Sequence, residues 1–143
     1  MASRNSMYDA LLAVGTALSP GGIPWGETGR RCKTPDQSQM PALFQVEWEE
    51  KIDTQMLGQI GRHKLEVLWV IYQNTGADQA TVPAKFSADA IDAIVAALGT
   101  QSGNRQTLGG LAYAAYVNGS IRRFMGDVNG IEIVTIPITI LIP

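Results

Sequence analysis

The sequence is short of charge and nearly empty of the side chains that build redox or metal chemistry. Among 143 residues there is one cysteine, Cys32, and one histidine, His63. A lone cysteine excludes an intrachain disulfide framework and a thiolate metal cluster, and makes a reducing compartment the natural reading. A lone histidine excludes a multi-histidine metal site. Charged residues are 17% of the chain, against about 25% in ordinary soluble domains. A net charge of -2 and a pI near 5.3 exclude nucleic-acid binding by bulk electrostatics. No apolar run approaches the ~18 residues of a transmembrane helix, so no membrane partner is expected. The apolar stretch from Ala10 to Leu18 follows Arg4. It is expected to be helix rather than signal peptide, because Asp9 flanks it, its spacing is helical and no cleavage motif follows.

What the chain does have is apolar surface. Hydrophobic residues are 45%, which with so low a net charge rules out disorder. A chain of this length buries roughly 68–70% of its unfolded surface. One domain over residues 1–143 is expected, with a projecting loop or arm at about 50–61.

Hydrophobic spacing predicts the elements. Met7, Leu11, Val14 and Leu18 make one stripe of a helix over Arg4 to Leu18, with Ser3 as its N-cap and Pro20-Gly21-Gly22 as its stop. Trp25 to Lys33 is a short, polar, extended segment. Ala42, Phe44, Val46 and Trp48 alternate with Gln45, Glu47 and Glu49, the pattern of a half-buried strand. Glu50 to Gly61 has no steady period and reads as a connection or arm. His63 to Tyr72 is a strand with Leu65, Val67, Trp69 and Ile71 on one face and Leu68 and Val70 continuing the other. Pro83 or Ser87 to Leu98 is a second helix with Ala88, Ile91, Ile94, Val95 and Leu98 as its stripe and Gly99 as its stop. Leu111 to Phe124 reads as a strand interrupted at Asn118-Gly119 by a bulge rather than a hairpin turn. Ile131 to Ile142 is the last strand, apolar on both faces. Pro137 cannot donate a ladder hydrogen bond, so an edge or bulge is expected there. The order predicts an α+β domain: a mixed, largely antiparallel four- to five-stranded sheet with two helices on one face.

Two helices cover one sheet face, yet two strands are apolar on both. A second copy of the chain is the economical cover for the other face, and the thin charged surface agrees.

Candidate chemistry is sparse. Glu47 and Glu49 are expected to share a strand face, with Glu50 and Asp53 nearby. Paired carboxylates can serve acid–base or metal chemistry, but the solvated face of an amphipathic strand is the preferred reading. His63 has no partnered nucleophile, and no Gly-x-Ser-x-Gly elbow occurs. Cys32 lies between Arg31 and Lys33 without a catalytic signature. The glycines around Gly99 follow a helix instead of feeding one, so they are no phosphate loop. Arg30, Arg31 and Lys33, then Arg62 and Lys64, then Arg122 and Arg123 are small basic clusters of the kind usually paired or solvated. Tryptophan is a common interface anchor; Trp25 borders polar loops, while Trp48 is in phase with the strand's apolar face and is expected in the core. No catalytic, cofactor or metal residue is assigned.

The chain resembles the tail-terminator or tail-completion proteins of tailed bacteriophages. The resemblance runs from Tyr8 to the C-terminus. It is carried by "YDALLAV", by "MPALFQVEWEE" after the basic "GRRCK", by "HKLEVLWVIYQN" followed by "TVPAKFSADAIDAIVAAL", by "QTLGGLAYAAYVNGSI" and by the final "IPITILIP". No piece is diagnostic alone; order and spacing carry the match. The resemblance implies an α+β subunit of a homo-oligomeric ring, with six copies expected, that caps the head-proximal end of the tail tube. It would stop tube polymerisation and offer the surface to which the head joins. Implied partners are other copies, the tail tube protein, head–tail connector or neck proteins and, in a contractile tail, the sheath. DNA would pass through the lumen without sequence-specific binding. The implied location is the virion tail or neck, assembled in the host bacterial cytoplasm. No catalytic residue and no cofactor is implied. The expected contact residues are Trp25, Arg30, Arg31, Trp48, Glu49, Glu50, Lys51, Met56, Leu57, Ile60, Arg122 and Arg123. Within them the arm is the expected tube or neighbour contact. A head-completion or neck connector ring that binds the portal–adaptor complex is the nearest alternative. A small ligand-binding domain or enzyme is a more distant one.

Overall fold

Ser3 starts the first helix: its hydroxyl accepts the Ser6 amide at 3.1 Å, satisfying one of the free donors of the first turn. The fold is taken from a computed structural model that describes residues 3–53, 62–74, 83–99, 106–124 and 131–142. Helix α1 (Arg4–Thr16) buries Met7, Leu11 and Gly15. It ends at Thr16 rather than Leu18, and Val14 and Leu18 are only half-buried. The stripe turns through Gly15 because the helix lies almost on the sheet there. A Cβ at that position would stand 2.7 Å from Leu43 Cδ2 and 2.9 Å from Trp69 Cη2.

The remaining elements are β1 (Glu27–Gly29), β2 (Ala42–Asp53), β3 (Arg62–Asn74), α2 (Pro83–Leu98), β4 (Ala114–Val117), β5 (Arg122–Phe124) and β6 (Ile131–Leu141). The six strands form one sheet in the order β1-β2-β3-β6-β4, with β5 also on β6. Only β1 and β2 run parallel. The expected α+β class holds, with one strand more than expected. Glu50 to Asp53, read as the start of an arm, continue β2 and pair with Leu65 to Arg62. Residues 54–61 lie outside the described set.

The additional strand comes from 111–124, which is two short strands rather than one. Both pair with the same edge of β6: Val117 opposes Ile138, and Arg122 opposes Thr135. The interruption is therefore no hairpin, but it is wider than the expected bulge: residues 118–121 lie against only 136 and 137 of β6. Its cause is Pro137. The Asn118 amide donates to the Pro137 carbonyl at 3.1 Å, so the side of β6 where Pro137 lacks an N–H faces the gap. Gly119 crosses the gap at φ 123. A Cβ there would approach Pro137 Cγ to 3.0 Å.

The core lies between the helices and one sheet face. Leu43, Leu65, Val67, Trp69, Ile71, Val134, Ile136, Ile138 and Ile140 meet Met7 and Leu11 of α1 and Phe86, Ala90, Ile94 and Leu98 of α2. The α2 stripe thus runs through Phe86 and Ala90. Ile91 and Val95 pack at its margin, and Ala88 is half-buried rather than central. Each fully buried aliphatic side chain contributes about 1.5–3 kcal/mol. Gly99 ends α2 at φ 77, as a glycine past the last turn does.

The second sheet face carries its own cluster. Ala42, Phe44, Val70 and Tyr72 are buried, with Met40, Val46, Leu68, Ile131 and Ile133 half-buried around them. Phe44 and Tyr72 meet edge to face at 5.9 Å. Among the described residues no α-helix packs on this face; at its β1–β2 end the loop before β2 closes over it, with Met40 against the cluster and Cys32 beside Tyr72, and the rest is open.

Candidate assembly interface

The phase of β2 decides what the second face presents. The helix side takes Leu43 and Gln45; Ala42, Phe44 and Val46 lie on the second side, where Ala42 and Phe44 are fully buried and Val46 only half-buried. The alternation was legible, and Ala42 and Phe44 are buried as expected, but in a second cluster on the side away from the helices. Gln45 is fully buried because its amide is used at both ends. Its Nε2 donates to the Tyr8 carbonyl and its Oε1 accepts the Trp69 indole N–H, both at 2.9 Å.

A bulge then breaks the phase. Glu47 opposes Val67 and Glu49 opposes Glu66, so Trp48 is the inserted residue. Bulges re-aim side chains, and Trp48 is 62% exposed. The expectation of a core Trp48 is overturned. So is the shared face of Glu47 and Glu49: Glu47 stays on the helix side with Gln45, and Glu49 moves to the uncovered side.

Beyond the bulge the uncovered face is charged in rows. Glu49 opposes Glu66, and Lys51 opposes Lys64 in the next pair on that face. Glu66 is nearly buried and accepts from Thr139 Oγ1 at 3.0 Å, while Asn118 Nδ2 donates to Thr139 Oγ1 at 3.2 Å. Burial first, and the Glu66 charge second, push the Tyr116 hydroxyl above its ordinary range. At the other end of the face Phe124, opposite Ile133, is 53% exposed, and Arg122 lies beside it.

The helix side of the β2–β3 pair is a network of ion pairs. Arg4 meets Glu50 through its Nε and Nη2, the latter at 2.8 Å, and His63 Nδ1 lies 3.3 Å from the same carboxylate. The Arg4 contact holds the Glu50 carboxyl down to about 2, with His63 adding to it against the effect of burial. Arg30 bridges Glu47, Asp9 and Asn5 and lies 5.1 Å over the Tyr8 ring. Burial, then Glu47 and Glu50, raise the Tyr8 hydroxyl. On the other side of the sheet, Arg31 and Lys33 both pair with Glu27, which opposes Ala42.

The expected contact residues therefore divide. Trp48, Glu49, Lys51 and Arg122 share the uncovered face. Glu50, Arg30 and Arg123 lie on the helix side. Trp25 is half-buried between the helices: its indole donates to the Gly15 carbonyl at 2.9 Å and its ring meets Phe86 edge-on at 6.2 Å. Met56, Leu57 and Ile60 lie outside the described residues. Sequence reasoning missed Phe124 and Glu66 as members of this face. The signal for both was the register set by Ile133 and Val67, which no single-strand alternation reveals.

Among the described residues no three His, Cys, Asp or Glu side chains gather to hold a metal. Cys32 Sγ lies 3.7 Å from the Tyr72 hydroxyl, and burial together with that thiol raises Tyr72. No described helix is long and apolar enough to cross a membrane.

No protein-family model matches the chain, and no curated protein matches it. Among solved structures, a chain in the virion of a native gene transfer agent (GTA) particle is similar, with a TM-score of 0.48 and 11% identity. The similarity covers 94% of this chain and 89% of that one.

Proposed function

We propose that this chain is a structural virion protein, a tail terminator. In this reading it forms a hexameric ring that caps the head-proximal end of a tail tube, stops tube growth and presents the surface to which the head joins. The observation that carries the proposal is the second sheet face. Beyond the buried Phe44 and Tyr72 it exposes Trp48 beside half-buried Val46 and Leu68 and bears rows of like charge, with no α-helix over it among the described residues. Apolar patches rimmed by polar residues mark interaction sites. The order and spacing of segments such as "HKLEVLWVIYQN" and "IPITILIP" support this reading by resemblance, and the face offers the means of assembly.

Ring closure buries this face against the neighbouring subunit. Growth stops because the ring matches the tube on one side and differs from it on the other. The end of the β2–β3 pair reaches past β6, whose Leu141 opposes Lys64 while Ile52 and Asp53 oppose His63 and Arg62. In this reading that end, with residues 54–61 that follow it in the sequence, is the tube contact. Partners are the tube protein, the connector or neck proteins and, in a contractile tail, the sheath; DNA traverses the lumen.

Electron microscopy of the purified chain mixed with tail tubes of the same particle tests the reading. The expected result is a ring at one end of each tube and no further elongation. Rings that ignore tubes and bind the portal–adaptor complex would make the chain a neck connector. A compact monomer at every concentration in light scattering would remove both.

A further inference from the structure

Two exposed aromatic side chains stand at opposite edges of the sheet, Trp48 on β2 and Phe124 on β5. β2 is close to an edge strand, because β1 pairs with it only at Ala42 to Phe44. From Trp48 to Asp53, β3 alone pairs with β2 among the described residues, and no described strand lies on the outer side. At the far end β5 pairs with β6 alone, and Arg122, Arg123 and Phe124 are all exposed. An edge of this kind is open to a second chain.

The two edges differ in charge. Glu49 follows Trp48 and opposes Glu66, not a cation. Glu47, one residue before Trp48, shares Arg30 with Asp9. The row of Lys51 and Lys64 closes this acidic stretch. On β5, Arg122 and Arg123 form no ion pair among the described residues, and neither does Glu49. Arg122 and Phe124 lie on the same side of the sheet as Trp48 and Glu49.

Strand direction fits the two edges together. β5 is antiparallel to β6, β6 to β3 and β3 to β2, so β5 runs antiparallel to β2. A copy set beside another without inversion lays its β5 antiparallel along the open edge of β2. Read forward, β2 presents Trp48 and then Glu49; read backward, β5 presents Phe124 and then Arg122. The same lay therefore brings aromatic to aromatic and arginine to glutamate. Two different, matching patches make a head-to-tail contact, which closes into a ring when its rotation allows. Aromatic and arginine side chains are the usual anchors of protein contacts. The bulge at Trp48 interrupts the edge, so side chains rather than a long backbone ladder set the fit. We infer that Trp48 and Glu49 of one copy meet Phe124 and Arg122 of the next, an inference that rests on the ring proposed above.

Sedimentation of charge-reversed full-length chains tests the contact. Glu49→Arg and Arg122→Glu are each expected to weaken association about a hundredfold or more. Each should run as a monomer at a concentration where the unsubstituted chain forms rings. Mixed in equal amounts, the two variants regain an arginine–glutamate pair at every junction by alternating, and rings of the original size are expected. Trp48→Ala mixed with Phe124→Ala keeps one intact junction per pair and is expected to stop at dimers; this mixture decides the matter if a reversed chain fails to fold. Charge-reversed variants that still assemble alone, or whose mixture stays monomeric with unchanged unfolding midpoints, would overturn the contact and leave the ring. Rings, or monomers only, from the alanine mixture would do the same. Rings that answer as expected but ignore tail tubes would remove the terminator reading and leave the contact. An unsubstituted chain that is monomeric at every concentration would overturn both.

Discussion

The Trp69 indole nitrogen donates to Gln45 Oε1 at 2.9 Å, with both side chains fully buried between sheet and helices. The same Gln45 amide reaches the Tyr8 carbonyl, so one polar side chain joins β2, β3 and α1. Gln45→Leu leaves a buried indole N–H without an acceptor, and a stranded buried donor costs about 1–3 kcal/mol. The expected loss in urea unfolding is of that size. Replacing both partners by apolar groups of similar shape is far less costly than stranding one. The double variant Gln45→Leu/Trp69→Phe is therefore expected to be more stable than the sum of the single losses.

Gly15 sets the spacing of α1 on the sheet. Its missing Cβ is the room taken by Leu43 Cδ2 and Trp69 Cη2, at 2.7 and 2.9 Å from where that atom would be. Trp69 is fully buried and cannot retreat. Gly15→Ala gains about 1 kcal/mol of helix propensity but overpacks the contact, which costs about 1–3 kcal/mol. A net fall in the urea midpoint with an unchanged slope is expected. A rise would mean that α1 can lift away from the sheet without cost.

The Glu50 carboxyl is held down to about 2 from 4.5, chiefly by its hydrogen bond with Arg4. A folded-state value below the unfolded one gives stability that is fully present above the unfolded value and is lost as pH falls through the folded one. The contribution is therefore lost between about pH 4.5 and pH 2. The Arg4 partner is exposed, so the effect is small, screened by salt and visible only as a slope. Glu50→Gln is expected to flatten the pH dependence of the urea midpoint in that window and to leave it unchanged near neutrality within ~0.5 kcal/mol. An unaltered slope would show that another carboxylate governs acid unfolding.

The elements of this fold were legible because its strands and helices are long and strongly patterned. Ser3, Gly99 and Pro137 each did locally what their chemistry dictates. The side of β2 was not legible. Gln45 has no place on a core face until Trp69 and Tyr8 supply its partners, and those lie on two other elements. The insertion of Trp48 was hidden for a related reason. Period-2 alternation continues unbroken through Glu47, Trp48 and Glu49, and only the pairing with Val67 and Glu66 reveals the additional residue. Glu66 and Lys64 look like scattered charge in the sequence, and become rows only when β2 supplies Glu49 and Lys51 beside them. Pairing between strands is nonlocal information, and the candidate interface is built almost wholly from it.

Trp48 should separate assembly from folding. Its side chain is 62% exposed and lies outside both hydrophobic clusters, so Trp48→Ala is expected to change subunit stability by no more than ~0.5 kcal/mol, as a surface substitution does. Truncating a tryptophan that anchors an interface costs about 2 kcal/mol or more, a roughly thirtyfold weaker association for each such contact. Sedimentation should then show the unsubstituted chain as a ring and Trp48→Ala as monomers with an unchanged unfolding midpoint. Trp25→Ala serves as the contrast. That residue holds α1 to α2 through the Gly15 carbonyl and Phe86, and its loss should cost about 3–5 kcal/mol of subunit stability before assembly is at issue. If Trp48→Ala still forms rings of the original size and affinity, the uncovered sheet face does not join the subunits.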